Sequence, residues 1–252
     1  MRGHISASRL LIGFCALLLA AASLDSGLAQ EQQLMRYMSI QVHPGMAFEF
    51  ENFLKTDLFP AMRKAGATQW GAWRGEFGEG GEYAFTAPVA NLAELDKPNS
   101  LLKVLGPEGL NAMMGKMQKY MRNTHTYLVV MRPDLGIEPA SGYVPKICMQ
   151  VRITVATDRS TDYEKFAKAI SGVIKKTNAK GVYAAQVLLG GNPAEYHSLN
   201  LLESYADLAA FASALSKGWN EANIPSMSGV VEKVEYRIYQ YAPDLSQQAP
   251  AQ

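Results

Sequence analysis

Two arginines carry the strongest chemical suggestion in this sequence. Arg152 and Arg237 fall in segments where apolar and polar residues alternate, and both take the polar side of the alternation. A guanidinium on the inner face of a sheet needs a carboxylate, a bound anion or water, because an unpaired buried charge is costly. Glu235 is the obvious protein partner and would build an internal ion-pair network; a carboxylate or enolate ligand is the sharper reading. His43 ends an early strand-like run on the same kind of face, next to Pro44 and Gly45. Its ordinary pKa near working pH suits a general base or substrate anchor. The plainer reading is a histidine that finishes a strand at the rim, in water. His43 and Arg152 are thus the candidate catalytic residues, and Tyr37, Gln41, His125, Tyr127, Gln150, Glu235, Arg237 and Tyr239 the candidate ligand contacts.

Other residue types are less informative. Past residue 29 the histidines are His43, His125 and His197, and none stands in an HxH or HExxH spacing, so neither a metal nor a cofactor is expected. Trp70, Trp73 and Arg74 could stack on a planar ligand, but two residues three apart on a regular strand face opposite ways, so one tryptophan belongs with the core. Met113, Met114, Met117 and Met121 have helical spacing and read as packing. Nothing near Cys148 marks it as a reactive thiol. The glycines at Gly78-Glu79-Gly80-Gly81 and Gly190-Gly191 lie between strands, which makes them hairpin turns and not phosphate cradles.

The elements that must position these residues come in duplicate. Phe50-Glu51-Asn52-Phe53-Leu54-Lys55 recurs as Tyr163-Glu164-Lys165-Phe166-Ala167-Lys168, an offset of 166 − 53 = 113. The same offset lays Trp70 on Tyr183, Glu82-Tyr83 on Glu195-Tyr196 and Ala93-Glu94-Leu95 on Ala206-Asp207-Leu208. It drifts toward the ends, with Met38 read against Met149 and Pro133-Asp134-Leu135 against Pro243-Asp244-Leu245. His197 takes the place of Ala84, as expected if one half kept a site or if the halves merely drifted. Within the first half the periods predict a strand over 37–42, a helix through Phe50 and Leu58 with Pro60 kinking it and Gly66 ending it, strands over 69–75 and 82–87, a helical region over 91–121 broken near Pro98 and Pro107, and a strand over 124–131. The second half predicts strands over 148–155, 181–189, 195–202 and 234–241. Each half is βαββαβ, the first over residues 34–135 and the second over 146–245, with 136–145 as linker and 246–252 as a loose, disordered tail.

A four-stranded sheet with two helices has one face uncovered. In the first strand Met38, Ile40 and Val42 point toward the helices, leaving Tyr37, Ser39, Gln41 and His43 on the bare side. In its counterpart Met149, Val151 and Ile153 face the helices, opposite Cys148, Gln150, Arg152 and Thr154. The last strands set His125, Tyr127, Val129 and Met131 against Glu235, Arg237, Tyr239 and Tyr241. A face this rich in aromatic and hydrogen-bonding groups fits the wall of a closed chamber better than open solvent. Tandem βαββαβ halves with a helix ending in Lys64-Ala65-Gly66 resemble the dimeric α+β barrel (ferredoxin-like) superfamily, which includes antibiotic-biosynthesis-type monooxygenases, stress-responsive barrel proteins and NIPSNAP-type proteins. The resemblance covers nearly all of the chain past its leader and implies an α+β pseudo-dimer whose two sheets enclose a cavity. It implies a small-molecule-binding protein or a cofactor-independent, monooxygenase-like enzyme acting on an aromatic or carboxylate-bearing compound. Two other readings stand beside it: a non-catalytic assembly protein with a filled barrel, and a haem enzyme like the chlorite dismutases, which hold iron through a histidine on a helix.

The amino terminus predicts export. Arg2, His4 and Arg9 precede an apolar run from Leu10 to Ala22, and Gly27-Leu28-Ala29 supplies the small residues of a cleavage site, so residues 1–29 read as a signal peptide. That run is shorter than the about 20 residues that cross a bilayer, and no stable membrane insertion is expected once the leader is cleaved. With 24 basic and 23 acidic residues and no basic cluster, nucleic acid is excluded as a partner. A periplasmic or secreted location, a small-molecule partner and a possible homo-oligomer are the expectations.

Overall fold

A computed structural model describes residues 33–77, 80–222, 224 and 226–248. The expected leader, Gly78-Glu79 of the first hairpin turn and the end of the tail, 249–252, lie outside the described residues. Eight antiparallel strands, β1 (Leu34–Val42), β2 (Gly71–Phe77), β3 (Glu82–Val89), β4 (Met121–Met131), β5 (Ile147–Val155), β6 (Gly181–Leu189), β7 (Glu195–Leu202) and β8 (Val231–Tyr241), close into a barrel in the order β1-β3-β2-β8-β5-β7-β6-β4. Each half supplies four neighbouring strands. The seams between halves are β2 with β8, from Trp73↔Tyr241 to Phe77↔Ile238, and β4 with β6, from Leu128↔Leu189 to Met131↔Ala185.

Helices α1 (Ala47–Phe53), α2 (Phe59–Lys64), α3 (Ser100–Gln118), α4 (Ser160–Ile174) and α5 (Tyr205–Glu221) lie outside this barrel. The first-half helix is interrupted, as Pro60 predicts, but the device is a widened five-residue turn over Leu54–Leu58 that restarts as α2 with Pro60 in its first turn, where a missing N–H costs nothing. Gly66 ends it at φ +89°. In the expected 91–121 region a short 3-10 turn, Leu92–Asp96, is separated from α3, whose start is capped by the Asn99 carboxamide oxygen accepting from Leu101 N–H at 2.9 Å. Gly106, at φ +68°, kinks α3 one residue before Pro107. Under these helices Ile40, Val42, Phe50, Phe53, Leu54, Trp70 and Tyr83 form the first-half core, with Met117 buried and Met113 packed against it. Met114, expected to pack with them, is partly exposed.

The structure holds the offset of 113 through β1 and β5 as well. Val42 N–H donates to Gly81 O and Val155 N–H to Ala194 O, both at 2.9 Å, so Val42 matches Val155 and the expected pairing of Met38 with Met149 is two residues out. Strands β4 and β8 begin three residues earlier than the alternation predicts and keep an offset of 110 (231 − 121).

The two Pro-Asp-Leu turns lock the halves together. Leu135, closing the first half, is buried beneath α4 with Tyr163, Ala167 and Tyr196, while Leu245, closing the second, is buried beneath α1 with Phe50, Leu54 and Tyr83. The carbonyl of Leu135 accepts from Ser171 Oγ and that of Leu245 from Trp70 Nε1, both at 2.8 Å. Around them the charges repeat. Arg74 bridges Glu51 and Asp244, with Tyr83 donating to Glu51; Arg132 bridges Glu164 and Asp134, with Tyr196 donating to Glu164. The linker and tail are therefore bonded parts of the body: Ile137 pairs with Val182, and Gln247, expected to be loose, exchanges two backbone hydrogen bonds with Trp70 because its strand-like segment lies beside the start of β2.

Candidate functional site in the barrel mouth

Register fixes what faces inward. Tyr37 lies opposite Tyr127, Gln150 opposite Arg237, Arg152 opposite both His197 and Glu235, and Cys148 opposite Tyr239. One buried cluster joins Tyr37, Ala84, Tyr127 and Val129 of the first half to Cys148, Ala185, Val187, Leu201 and Tyr239 of the second. The two sheets thus share an interior, as the alternation predicts. Trp73 packs against this cluster with Tyr241 at 5.1 Å, and Trp70 turns the other way onto Phe59.

The centre of the barrel is filled. Tyr37 stacks on Tyr127 at 4.8 Å and 22°, and Tyr127 meets the His197 ring edge-on at 5.4 Å. The Tyr239 hydroxyl donates to Glu82 Oε1 at 2.8 Å, so the 3.2 Å contact between the hydroxyls of Tyr37 and Tyr239 has Tyr37 as donor. Burial pushes the Tyr37 phenol up to about 12 and raises those of Tyr127 and Tyr239 further, keeping all three protonated. On this floor of rings stand the polar side chains of the mouth: Ser39, Gln41, Glu82, His125, Arg152, Glu195, Glu235 and Arg237, each partly or fully open to solvent.

At the edge of the floor Glu195 collects three donors on one carboxylate oxygen. Arg152 Nε and Nη2 approach Oε1 at 2.9 and 2.8 Å, and His197 Nε2 at 2.6 Å. Burial alone would raise the Glu195 pKa, but the bonds from His197 and Arg152 outweigh it and bring it down to about 2. His197 is 3% exposed, and burial depresses its pKa, so the ring is neutral with its proton on Nε2. Nδ1 is then an acceptor, 3.4 Å from Gln150 Nε2. Gln150 is 1% exposed, and its Oε1 has no hydrogen-bond partner among the described residues.

Several expectations change here. Arg152 pairs with Glu195 and not with Glu235; Glu235 is held by Lys233 at 3.0 Å and lies 3.7 Å from Arg237, whose Nε is 3.5 Å from Glu82. The cause is register: Glu195 sits one inward position along β7 from His197, within reach of the arginine fork. His43 does not line the interior. Strand β1 stops at Val42, and the chain turns outward with His43 exposed and its N–H bonded to Tyr120 O. His125 sits above Tyr127, exposed, with Nε2 3.1 Å from Gly190 O. Gln41 donates to Gly80 O at the rim. Glu82, Glu195 and His197 belong to this candidate site and are absent from the expected contacts. For His197 the signal was its substitution for Ala84, since Ala84 faces the interior and the offset of 113 carries that facing to His197. Cys148 is buried, its thiol pushed up to about 12, consistent with an unreactive residue.

Comparison of the whole chain with solved structures finds the same architecture. An anthrone oxidase-like protein matches with a TM-score of 0.59 at 10% identity, covering 89% of this chain and 98% of that one. A Lactobacillus acidophilus protein provisionally described as a monooxygenase matches at 0.54 and 10% identity, covering 84% and 94%. The chain has the dimeric α+β barrel fold. The chlorite dismutase of Candidatus Nitrospira defluvii shares it too, at a TM-score of 0.55 and 7% identity, covering 85% of this chain and 92% of that one. No protein-family model matches, and no curated protein is found to be related. Among the described residues no histidine stands on a helix, where the haem reading would hold iron: His43 lies just past β1, His125 on β4 and His197 on β7. Among the described residues no helix is long and apolar enough to cross a membrane.

Proposed function

We propose that the protein is an exported small-molecule-binding protein whose ligand, an aromatic or carboxylate-bearing compound, is held in the barrel mouth by the partly open side chains of His125, Arg152 and Arg237, above the packed rings of Tyr37, Tyr127 and His197. The observation that carries this reading is the polar lining inside a closed barrel. Buried hydrogen-bonding groups cost roughly 1–3 kcal/mol each when unpaired, and among the described residues Gln150 Oε1 finds no partner. The test is a thermal-shift and calorimetric screen with aromatic acids, phenols and enolisable diketones. Binding that disappears in Arg152→Met and Tyr127→Ala supports the reading; a panel that never moves the melting temperature of the intact protein sinks it. Export rests on the first 29 residues, and amino-terminal sequencing of material from the native host should start at Gln30.

Cofactor-independent catalysis is favoured by one feature, the Glu195–His197 pair. A neutral imidazole whose Nε2–H is held by a carboxylate can take a proton at Nδ1, and Glu195 then stabilises the imidazolium. His197→Gln should abolish any turnover of a bound compound, and turnover unaffected by the substitution removes this reading.

A further inference from the structure

Strand β8 is paired along one side only for most of its length. It follows β5 from Val231 to Ile147's partner Gln240, yet on its other side, among the described residues, only Ile238–Tyr241 pair, with β2. Among the described residues Val231–Arg237 therefore present an edge with no strand beside it, and such an edge is a template for another strand. The Tyr236 carbonyl on this stretch accepts from Arg237 Nη1 at 3.1 Å, a side chain standing in for a neighbouring amide. Two of the outward side chains are apolar and open: Tyr236 is 63% and Val234 42% exposed, and Tyr236 walls a groove of about 400 Å3 with Trp219, Leu215 and Phe211 of α5. A lone exposed apolar residue needs no explanation; aromatic residues grouped beside an open strand do.

The charges along the edge say what would fit it. The run reads Glu232-Lys233-Val234-Glu235-Tyr236. In a twofold antiparallel pairing centred on Val234, that residue meets Val234 of the partner subunit. Lys233 then meets Glu235 of the partner subunit, Glu235 meets the partner's Lys233, and Glu232 meets the partner's Tyr236. Every inward residue opposes an inward one, as a shared sheet demands. Centring on Glu235 instead would oppose Glu235 to itself and Lys233 to Arg237 of the partner subunit, so like charges exclude that register. The matching strand of the first half has no such code. Centred on Thr124, β4 would oppose Asn123 to the partner's His125, a pair without opposite charge, and His125 is already bonded to Gly190 O.

We propose that the protein is a twofold dimer joined through the β8 edges in the register centred on Val234. This closed, isologous contact is self-complementary and ends with the pair. Sedimentation and light scattering of the purified protein at low ionic strength should report a dimer. Lys233→Glu turns both cross-axis ion pairs into repulsions and should weaken the dimer roughly tenfold, at about 0.2–1 kcal/mol per cross-strand pair changing sign. The swap Lys233→Glu with Glu235→Lys should restore it. Val234→Cys opposes a thiol to its own copy at a spacing a disulfide can bridge, and should give a covalent dimer on mild oxidation, whereas Thr124→Cys should not. A monomer at every concentration overturns the proposal, and so does a dimer that ignores the charge swap and leaves Val234→Cys unlinked.

Discussion

The outside of the barrel preserves the duplication, and the inside keeps little of it beyond the pair Glu82 and Glu195. Beneath the helices, each half offers a Glu, a Lys and a Tyr at the same offset, Glu51, Lys55 and Tyr83 against Glu164, Lys168 and Tyr196, and each receives the other half's Pro-Asp-Leu turn. Inside, the same offsets set Tyr37 against Gln150, Ser39 against Arg152, Ala84 against His197 and Tyr127 against Arg237. The stacked pair of rings, Tyr37 and Tyr127, comes from the first half, and the arginines and His197 come from the second. Where the two halves must clasp each other the duplicated residues have the same task twice, whereas a single interior needs each role filled once.

The clasps give the largest expected effects. Leu245→Ala and Leu135→Ala should each cost about 2–5 kcal/mol in urea unfolding, in one transition that involves both halves. Values differing by more than about 2 kcal/mol would break the claim that the clasps are equivalent. Arg74→Met and Arg132→Met should each lose roughly 1–3 kcal/mol, since either change strips two carboxylates of their shared donor.

Interior changes should be smaller and should fall on the second half. The folded His197 binds protons less readily than the unfolded one, so its contribution is present above about pH 6.5 and lost as pH falls below that value. Glu195, lowered from 4.5 to about 2, contributes above pH 4.5 and ceases to as pH falls toward 2. Two-step acid destabilisation is expected, and His197→Gln should remove the upper step and leave the lower; a single step in both proteins contradicts the assigned protonation. Gln150→Leu, which deletes an unpartnered buried oxygen, should change stability by less than about 1 kcal/mol while weakening any ligand. Smallest of all, Cys148 should not react with a disulfide reagent in the folded protein at pH 8, and does so only through unfolding.

Much of this was legible because strands have a period of two. The inward facing of Tyr37, Tyr127, Gln150, Arg152 and Tyr239 followed from alternation alone, and the second-half strands β6 and β7 were read with their observed ends. The choice of Glu195 as the partner of Arg152 was not legible, because it depends on which strand lies beside β5 and in which register. His43 shows the limit from the other side: its parity was right for the interior, but it stands just past the end of β1, where the chain turns and sends the side chain out.

The sequence by itself determined the two βαββαβ halves, since periodicity, turn residues and the 113-residue echo are local properties of the chain. Only the tertiary structure decided that the halves exchange their closing turns, that rings from both sheets fill the shared centre, and that three donors converge on Glu195. Those outcomes depend on contacts between residues up to about two hundred positions apart, such as Tyr37 and Tyr239 with |i−j| of 202, and such contacts are chosen by packing geometry and not by any local pattern.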